Sequence, residues 1–509
     1  MGTRAALHAP PDVTAPAEPA AGSGRPAGSW RPRPVEIVFA LTLAAAALRF
    51  ATLDVQSLWL DESATVVLVH RGFSGMLSHL SSSESAPPLY YVLVWAWTKL
   101  FGAGAVGFRS LSALVGTLTV PVLYLAGRRV SERAGVWAAA LAACNPAMYY
   151  YSQEARCYAL LIFFSAVAFV LWQRALAAPD ARRLALWAGA SILAVLTHYF
   201  AAFLFIPEAL ILARRLGWRR VLAPAGAVVL VGVALLPLAI SQHENGRKSE
   251  WIEASSLISR IAETAKEFLV GLYGPLEILS AAIAGLLAIG ALLLVLRDSD
   301  ERARPVARDT AIVAATAMLI PLLAALSGAL DVFDGRNVIA DWVPWAVLLA
   351  IGLGAAGARH AGAVLGVGMC AVSLAVIAAT NLIPAYQRDD WRGAARALTP
   401  LRLGSRVLVS ESSSSIPLSV YLPGVQALAA PTVITRELDF IALRVRRTGR
   451  SPLAPAPPTS PPSGFRLAGV RRSETYAVSR FVATRPRTLR ASALRRMSGE
   501  STAEVMLQR

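Results

Sequence analysis

The sequence predicts an all-α polytopic membrane protein of about eleven transmembrane helices, with interfacial helices in the first outer loop and a small C-terminal α/β domain on the outer side. Three observations predict it. The 509 residues are 55% hydrophobic with a mean hydropathy of +0.52. That exceeds the roughly 45–50% apolar content of soluble domains, and the excess falls in blocks near the roughly 20 residues that cross a bilayer. Arginines recur in alternate connections between those blocks, and after residue 383 the blocks stop and short β-like runs replace them.

Taken in order, residues 1–34 are Ala-, Pro- and Gly-rich with scattered arginines. They lack an apolar core and read as a disordered cytoplasmic tail, not a cleavable signal peptide. Spans are expected near 35–52, 107–127, 134–152, 155–173, 184–200, 201–213, 221–240, 276–296, 310–330, 338–356 and 361–383. With the basic tail inside, the inner connections carry Arg128, Arg129 and Arg133; Arg174, Arg182 and Arg183; and Arg214, Arg215, Arg219 and Arg220. Arg297, Arg302, Arg304 and Arg308 follow, and then Arg359. This is the positive-inside pattern. The block "PPLYYVLVWAWTKLFG" (87–102) breaks that parity if it crosses, so it is expected as a helix in the outer interface. Pro87-Pro88 suits a helix start, and Tyr90, Tyr91, Trp95 and Trp97 suit the headgroup level. Beyond 383, "RVLVSES" and "YAVSRFVAT" read as strands and "DWRGAARAL" as a helix. A Pro-rich link occupies 452–463, and the stretch after about 486 is expected to be disordered.

The formal charge of +17 would suit a nucleic-acid partner, but the arginines follow the membrane connections, so no nucleic acid is expected. Cys144, Cys157 and Cys370 all lie in or beside apolar blocks and imply no disulfide framework. No Walker-A loop, dinucleotide-binding glycine motif or zinc spacing occurs. The remaining ionisable residues gather on the outer side: Asp61, Glu62, Glu84, Arg109, Glu154, Arg156, His198, Asp331, Asp334 and Arg336. A transporter or lipid flippase, the rival class, would place charged or broken helices near the midplane and repeat its halves in inverted order. Neither feature is read in this sequence.

The stretch "SLWLDESATVVLV" (57–69) stands out, because Asp61 and Glu62 lie among apolar residues with no basic partner before Arg71. Buried unpaired carboxylates are costly, so partners or chemistry must justify them. "LWLDESAT", "APPLYYVLVWAWTKLFG", "FRSLSALVGTLTVPVLYLAGRRV", "NPAMYYYSQEARCYALL", "LTHYFA" and "DWRGAARAL" occur in this order. Together they resemble the integral-membrane GT-C glycosyltransferases that use polyprenyl-phosphate sugars, in the branch of bacterial protein O-mannosyltransferase-like and aminoarabinose-transferase-like enzymes. The resemblance covers roughly residues 35–400.

It implies a GT-C-like helical bundle, a polyprenyl-phosphate sugar donor entering from the bilayer, and an extracytoplasmic acceptor that is protein, lipid or glycan. It also implies a multi-pass protein of the cell membrane, with the N-terminus inside and the C-terminal domain outside. Asp61 matches the family's first-loop acidic position and is expected to be the base. The alternative is a helix N-terminal carboxylate satisfied by backbone amides. Glu62 is expected to orient a neighbour or the acceptor, and Glu154 matches a second acidic position, unless it simply pairs with Arg156. Arg109, Arg156 and Arg336 are the candidates for the donor phosphate, since guanidinium suits phosphate oxygens; each could instead snorkel. Arg336 resembles the arginine before a late span, although Asn337 follows where relatives often carry an aromatic. His198 and Tyr90 are assigned to substrate binding, with an interfacial anchor the alternative for His198. No metal cluster is read, and a divalent cation held by Asp61 or Glu154 with phosphate oxygens stays open.

Overall fold

The computed structural model describes residues 2, 32–245, 252, 255–328, 331–401, 403–444, 454–499 and 502–509. The expected disordered tail therefore lies almost wholly outside the described residues, as do residues 452–453 of the Pro-rich link. The helices are α1 (Pro34–Phe50), α2 (Leu60–His70), α3 (Gly72–Ser83), α4 (Leu89–Phe101), α5 (Ala105–Arg128), α6 (Glu132–Cys144), α7 (Pro146–Ser152) and α8 (Tyr158–Ala177). They continue with α9 (Ala181–Thr197), α10 (Ala201–Leu216), α11 (Trp218–Glu244), α12 (Leu257–Val270), α13 (Glu277–Asp298), α14 (Ala303–Leu326), α15 (Trp342–Leu353) and α16 (Arg359–Leu382). Ser131 caps α6 through the amide of Ala134, and Asp180 caps α9 through that of Arg183. The "PPLYY" block is a 13-residue helix after Pro88, as expected from its proline start.

Among the described residues six helices are long and apolar enough to cross a membrane by length and composition: α5, α8, α11, α13, α14 and α16. Five other expected spans coincide with shorter helices: α1 and α9 of 17 residues, α10 of 16, α6 of 13 and α15 of 12. The expected continuous span at 134–152 is broken. Asn145 accepts from the amides of Ala147 and Met148, and Pro146 opens a new seven-residue helix. An Asn-Pro pair is an N-cap and first-turn signal, and here it overrides the apolar run. About 72% of the apolar window of α5 and 67% of that of α8 is buried, against 11% for α11 and 17% for α13. The first two form the centre of the bundle, while α11 and α13 turn exposed Leu230, Leu236 and Leu286 outward, as lipid-facing helices do.

After α16 come α17 (Trp391–Leu398), β1 (Arg406–Ser410), α18 (Ser415–Tyr421), β2 (Val425–Ala427), β3 (Thr432–Leu443), β4 (Arg466–Arg472), β5 (Tyr476–Arg490), α19 (Ala491–Ser498) and β6 (Glu504–Gln508). The sheet runs β2-β6-β1-β3-β5-β4, with β1 and β3 parallel and the other pairs antiparallel. Leu398, Leu408, Leu418, Ile441 and Met506 pack one face beneath α17 and α18; Val407, Phe440, Phe481 and Leu494 pack the other beneath α19. The expected disorder after about 486 is not found. That stretch completes β5, forms α19 and returns as β6 between β1 and β2, because "EVMLQ" supplies Val505 and Met506 to the two cores. Residues 454–463 form no helix or strand.

The domain docks on the turn before α2. Leu58 N–H donates to Tyr421 Oη at 2.7 Å, Arg392 N–H donates to Ser57 Oγ at 3.1 Å, and Arg392 pairs with Asp54 at 2.8 Å. In the bundle, α15 packs so closely on α13 that a Cβ at Gly352 would lie 2.0 Å from the Ala291 carbonyl oxygen. Small residues at such crossings let helix backbones approach. Gly352→Ala is therefore expected to destabilise the bundle by about 1–3 kcal/mol, measured as a lower melting temperature in detergent. An unchanged melting temperature would contradict this packing.

Candidate active site

Helix α2 begins directly after Trp59, so Asp61 and Glu62 both occupy its first turn. Consecutive helical residues diverge by about 100°, and the two carboxylates accordingly take different surroundings. Glu62 points inward and is fully buried, whereas the Asp61 side chain is 28% exposed.

Glu62 is the most heavily engaged acid of the site. Arg109 donates from Nε to Oε1 at 2.7 Å and from Nη2 to Oε2 at 2.6 Å. Ala155 N–H reaches Oε1 at 2.9 Å, and Arg388 Nη1 reaches Oε2 at 3.1 Å. The Trp59 amide adds a longer bond of 3.4 Å. Burial pushes the Glu62 carboxyl up, but Arg109 and Arg388 outweigh it and hold it below the ordinary range. Arg109 is equally committed. Besides Glu62 it donates to the carbonyls of Leu53, Gln56 and Ser57, so all five of its N–H groups are used within the protein. Arg109, a sequence candidate for donor phosphate, thus sits as a buried strut of the loop between α1 and α2.

Asp61 faces a different cation. Its Oδ2 lies 3.2 Å from Arg336 Nη1, and Arg336 also approaches Asp334 at 3.5 Å. The Arg336 guanidinium stands 5.8 Å from the Trp59 ring centre, and Trp59 Nε1 donates to Glu154 Oε1 at 3.0 Å. Glu154 is buried, and its Oε2 has no hydrogen-bond partner among the described residues. Burial pushes its carboxyl up to about 7, helped by Glu62 and Asp61 and opposed by Arg388 and Arg336. A local pair with Arg156, weighed from the sequence, does not form. Arg156 instead donates to Glu84 at 2.6 Å and to Thr65 at 3.2 Å, and Tyr91 shares the same Glu84 oxygen at 2.8 Å.

Helix α12 holds the segment that carries Arg336. Arg260 makes two bonds to Asp331, of 2.6 and 2.7 Å, and one to the Phe333 carbonyl at 2.7 Å. Glu267 lies against Gly335, where a Cβ would stand 1.9 Å from Oε2, so a larger residue there requires the Glu267 side chain to move. Tyr151 Oη donates to Glu267 at 2.5 Å, and burial pushes this carboxyl too up to about 7. His198 closes α9 with its ring 5.8 Å from that of Tyr158, and Phe200 N–H donates to its Nδ1. Tyr90 is buried edge-on to Tyr91, its hydroxyl without a partner.

The structure thus gathers Asp61, Glu62, Glu154, Arg109 and Arg336 around Trp59, and places Arg156 with Glu84 one step behind. Arg388, Glu267 and Tyr151 were not read from the sequence as site residues. The amphipathic run "LISRIAETAKEFLV" could have pointed to Glu267 as a core-facing acid, but no local signal marks Arg388. Among the described residues no three His, Cys, Asp or Glu side chains are arranged to hold a metal ion. Asp61 faces Arg336, and Glu154 faces Trp59.

Breaking a buried pair strands its partner. Glu62→Gln leaves Arg109 and Arg388 without their counter-charge and is expected to cost about 3–5 kcal/mol of stability, against about 0–1 kcal/mol for the partly exposed Asp61→Asn. Melting temperatures in detergent check the ranking, and equal losses would contradict it.

Residues 85–241 match the family profile described as dolichyl-phosphate-mannose-protein mannosyltransferase. Among solved structures, ArnT from Cupriavidus metallidurans in the apo state is similar at 12% identity and a TM-score of 0.53, covering 87% of this chain and 97% of that one. The same protein bound to undecaprenyl phosphate gives 13% and 0.49 over the same shares. The S. cerevisiae Pmt1-Pmt2 complex bound to its sugar donor gives 18% and 0.33, over 42% of this chain and 33% of that one. No curated protein matches the sequence significantly. The matched segment contains Tyr90, Arg109, Glu154, Arg156 and His198, and the fold is similar to that of ArnT along most of the chain.

Proposed function

We propose that the protein transfers one sugar from a polyprenyl-phosphate donor to a hydroxyl acceptor at the extracytoplasmic face of the membrane. The observation that carries this reading is the Asp61–Arg336 pair: a carboxylate and a guanidinium 3.2 Å apart, each about a quarter exposed. Around it Glu62, Glu154, Arg109 and Arg388 are buried, and Asp334 is partly exposed beside Arg336. The acceptor oxygen attacks the anomeric carbon while the bond from that carbon to the phosphate oxygen breaks. The acceptor proton passes to Asp61, and Arg336 meets the charge that develops on the leaving phosphate. A single displacement of this kind inverts the anomeric centre. Mannose is the first donor to test, since the matched family profile carries that name; ArnT, solved with undecaprenyl phosphate, supports a polyprenyl carrier.

Glu154 has a supporting part. Ionised, it is the stronger acceptor for Trp59 Nε1 and holds that ring against Arg336. Because burial raises its carboxyl to about 7, it is neutral below that pH and charged above it. Turnover is therefore expected to rise with pH through about 7, and Glu154→Gln is expected to abolish that rise. A rise that persists in Glu154→Gln would remove Glu154 from this role.

The arginine loops motivate a cytoplasmic N-terminus, with residues 53–106 and 384–509 outside. Exposed Ser82 and Ser412, each changed to cysteine, should react with an impermeant maleimide in intact cells. Protection of either would overturn that orientation. The direct functional test uses the purified protein in lipid vesicles with a panel of polyprenyl-phosphate sugars. One donor should be turned over, with Asp61→Asn slower by about 10²-fold. Arg336→Ala should lose about 10²–10³-fold, and Arg336→Lys should recover part of it for want of the planar fork. Absence of transfer from every donor, or an Asp61→Asn variant as fast as the wild type, would sink the reading.

A further inference from the structure

Arg388 reaches the site from a part of the chain that otherwise belongs to the C-terminal domain. It follows α16 and the short turn Pro384–Tyr386, and it precedes α17. The side chain is 3% exposed and bridges two separate turns. Its Nη1 donates to Glu62 Oε2 at 3.1 Å and to the Gln153 carbonyl at 2.8 Å, and Nη2 donates to the Tyr150 carbonyl at 3.3 Å. The guanidinium lies 4.3 Å from the centre of the Tyr150 ring. Its own amide donates to Gln56 Oε1 at 3.0 Å, which fixes the backbone as well as the head group.

The two turns it joins are those that carry the acids of the proposed reaction. Glu62 adjoins Asp61 at the start of α2, and Gln153 adjoins Glu154 at the end of α7. We infer that Arg388 is a positioning residue: it sets the placement of Asp61 relative to Glu154 and completes the site only when the C-terminal domain is docked. This rests on the transfer reading above and extends it, because it makes the outer domain a condition of catalysis. Three docking contacts support the coupling. Tyr421, Arg392 and Arg388 all close on residues 54–62, the segment that ends in Asp61 and Glu62.

Charge adds a readout that a merely structural strut would not move. The charged groups around Glu154 are Arg388, Glu62, Arg336 and Asp61, with the phenols of Tyr90, Tyr151 and Tyr158 and the thiol of Cys157 beside them. Arg388 is foremost among the groups that pull the Glu154 carboxyl down against its burial. Removing this cation should therefore move the rise of turnover to higher pH. Arg388→Lys keeps the charge but loses the fork that spans Glu62, Gln153 and Tyr150. It should hold the pH position while losing rate, so the two contributions separate.

The experiment uses the full chain in lipid vesicles and compares wild type with Arg388→Gln, Arg388→Lys and Arg392→Ala. Turnover is measured against pH, and hydrogen exchange is followed over residues 53–62 and 150–156. Arg388→Gln should lose about tenfold or more in kcat through misplacement and shift its pH rise upward by roughly half a unit or more. Arg388→Lys should lose rate without that shift. Arg392→Ala, which releases Asp54 and Val55 but leaves Arg388 beside Glu154, should not shift the pH rise. Exchange in both turns should quicken in Arg388→Gln, and not over residues 150–156 in Arg392→Ala, a result that needs no turnover at all. An unmoved pH profile in Arg388→Gln, an equal shift in Arg388→Lys, or unchanged exchange would each overturn the inference. A slow Asp61→Asn beside an unaffected Arg388→Gln would sink this proposal alone. A wild-type-like Asp61→Asn would sink the transfer reading, with the exchange data still deciding the role of Arg388.

Discussion

The buried carboxylate of Glu62 is the constraint on which the rest of the candidate site depends. A carboxylate and two guanidiniums removed from water carry a desolvation cost of several kcal/mol each, recovered only when every donor finds its acceptor. Arg109 meets that condition, its fork closing on Glu62 and on three carbonyls before α2, and Ala155 and Arg388 fill the remaining lone pairs of Glu62, although Arg388 Nε has no hydrogen-bond partner among the described residues. One side chain thereby ties together α2, α5, the turn before α8 and the segment leading into the C-terminal domain. Its neighbour Asp61 inherits that placement. A group held at the first turn of a fixed helix needs no reorganisation to meet its substrate.

The arginines divide accordingly. Arg109 and Arg388 are consumed by structure, Arg156 by Glu84 and Thr65, and Arg336 stands at the partly open edge with Asp61. Helix α12 serves that edge from outside the bundle, through Arg260 on Asp331 and through Glu267 beneath Gly335. Position and accessibility, not residue type, separate the cation proposed for the phosphate from those that build its surroundings. Glu154 and Glu267, both pushed up to about 7, mark the low-dielectric side of this edge.

What could be read from sequence was local in character. Pro88 before "LYYVLVWAW" specifies a helix start, and "RVLVS" and "YAVSRFVAT" alternate as strands; each rests on residues within a few positions of one another. The misses share the opposite property. Glu62 meets Arg109 across 47 residues and Arg388 across 326, and nothing in the neighbourhood of Arg388 announces its partner. The break at Asn145-Pro146 was present in the sequence but hidden inside an apolar run long enough to suggest one span. Strand β6 was obscured because a short run of Val505, Met506 and Leu507 at the chain end gains meaning only between β1 and β2.

A double-mutant cycle between Glu62→Gln and Arg388→Gln, read as unfolding free energy of the full chain in detergent, tests the account most directly. If Glu62 is the shared counter-charge of the candidate site, the two substitutions must interact. The double variant should then be more stable than the sum of the single losses implies, by roughly 1 kcal/mol or more. Losses that add within about 0.5 kcal/mol would show that the two residues act independently, and would contradict the claim that one buried carboxylate organises the site.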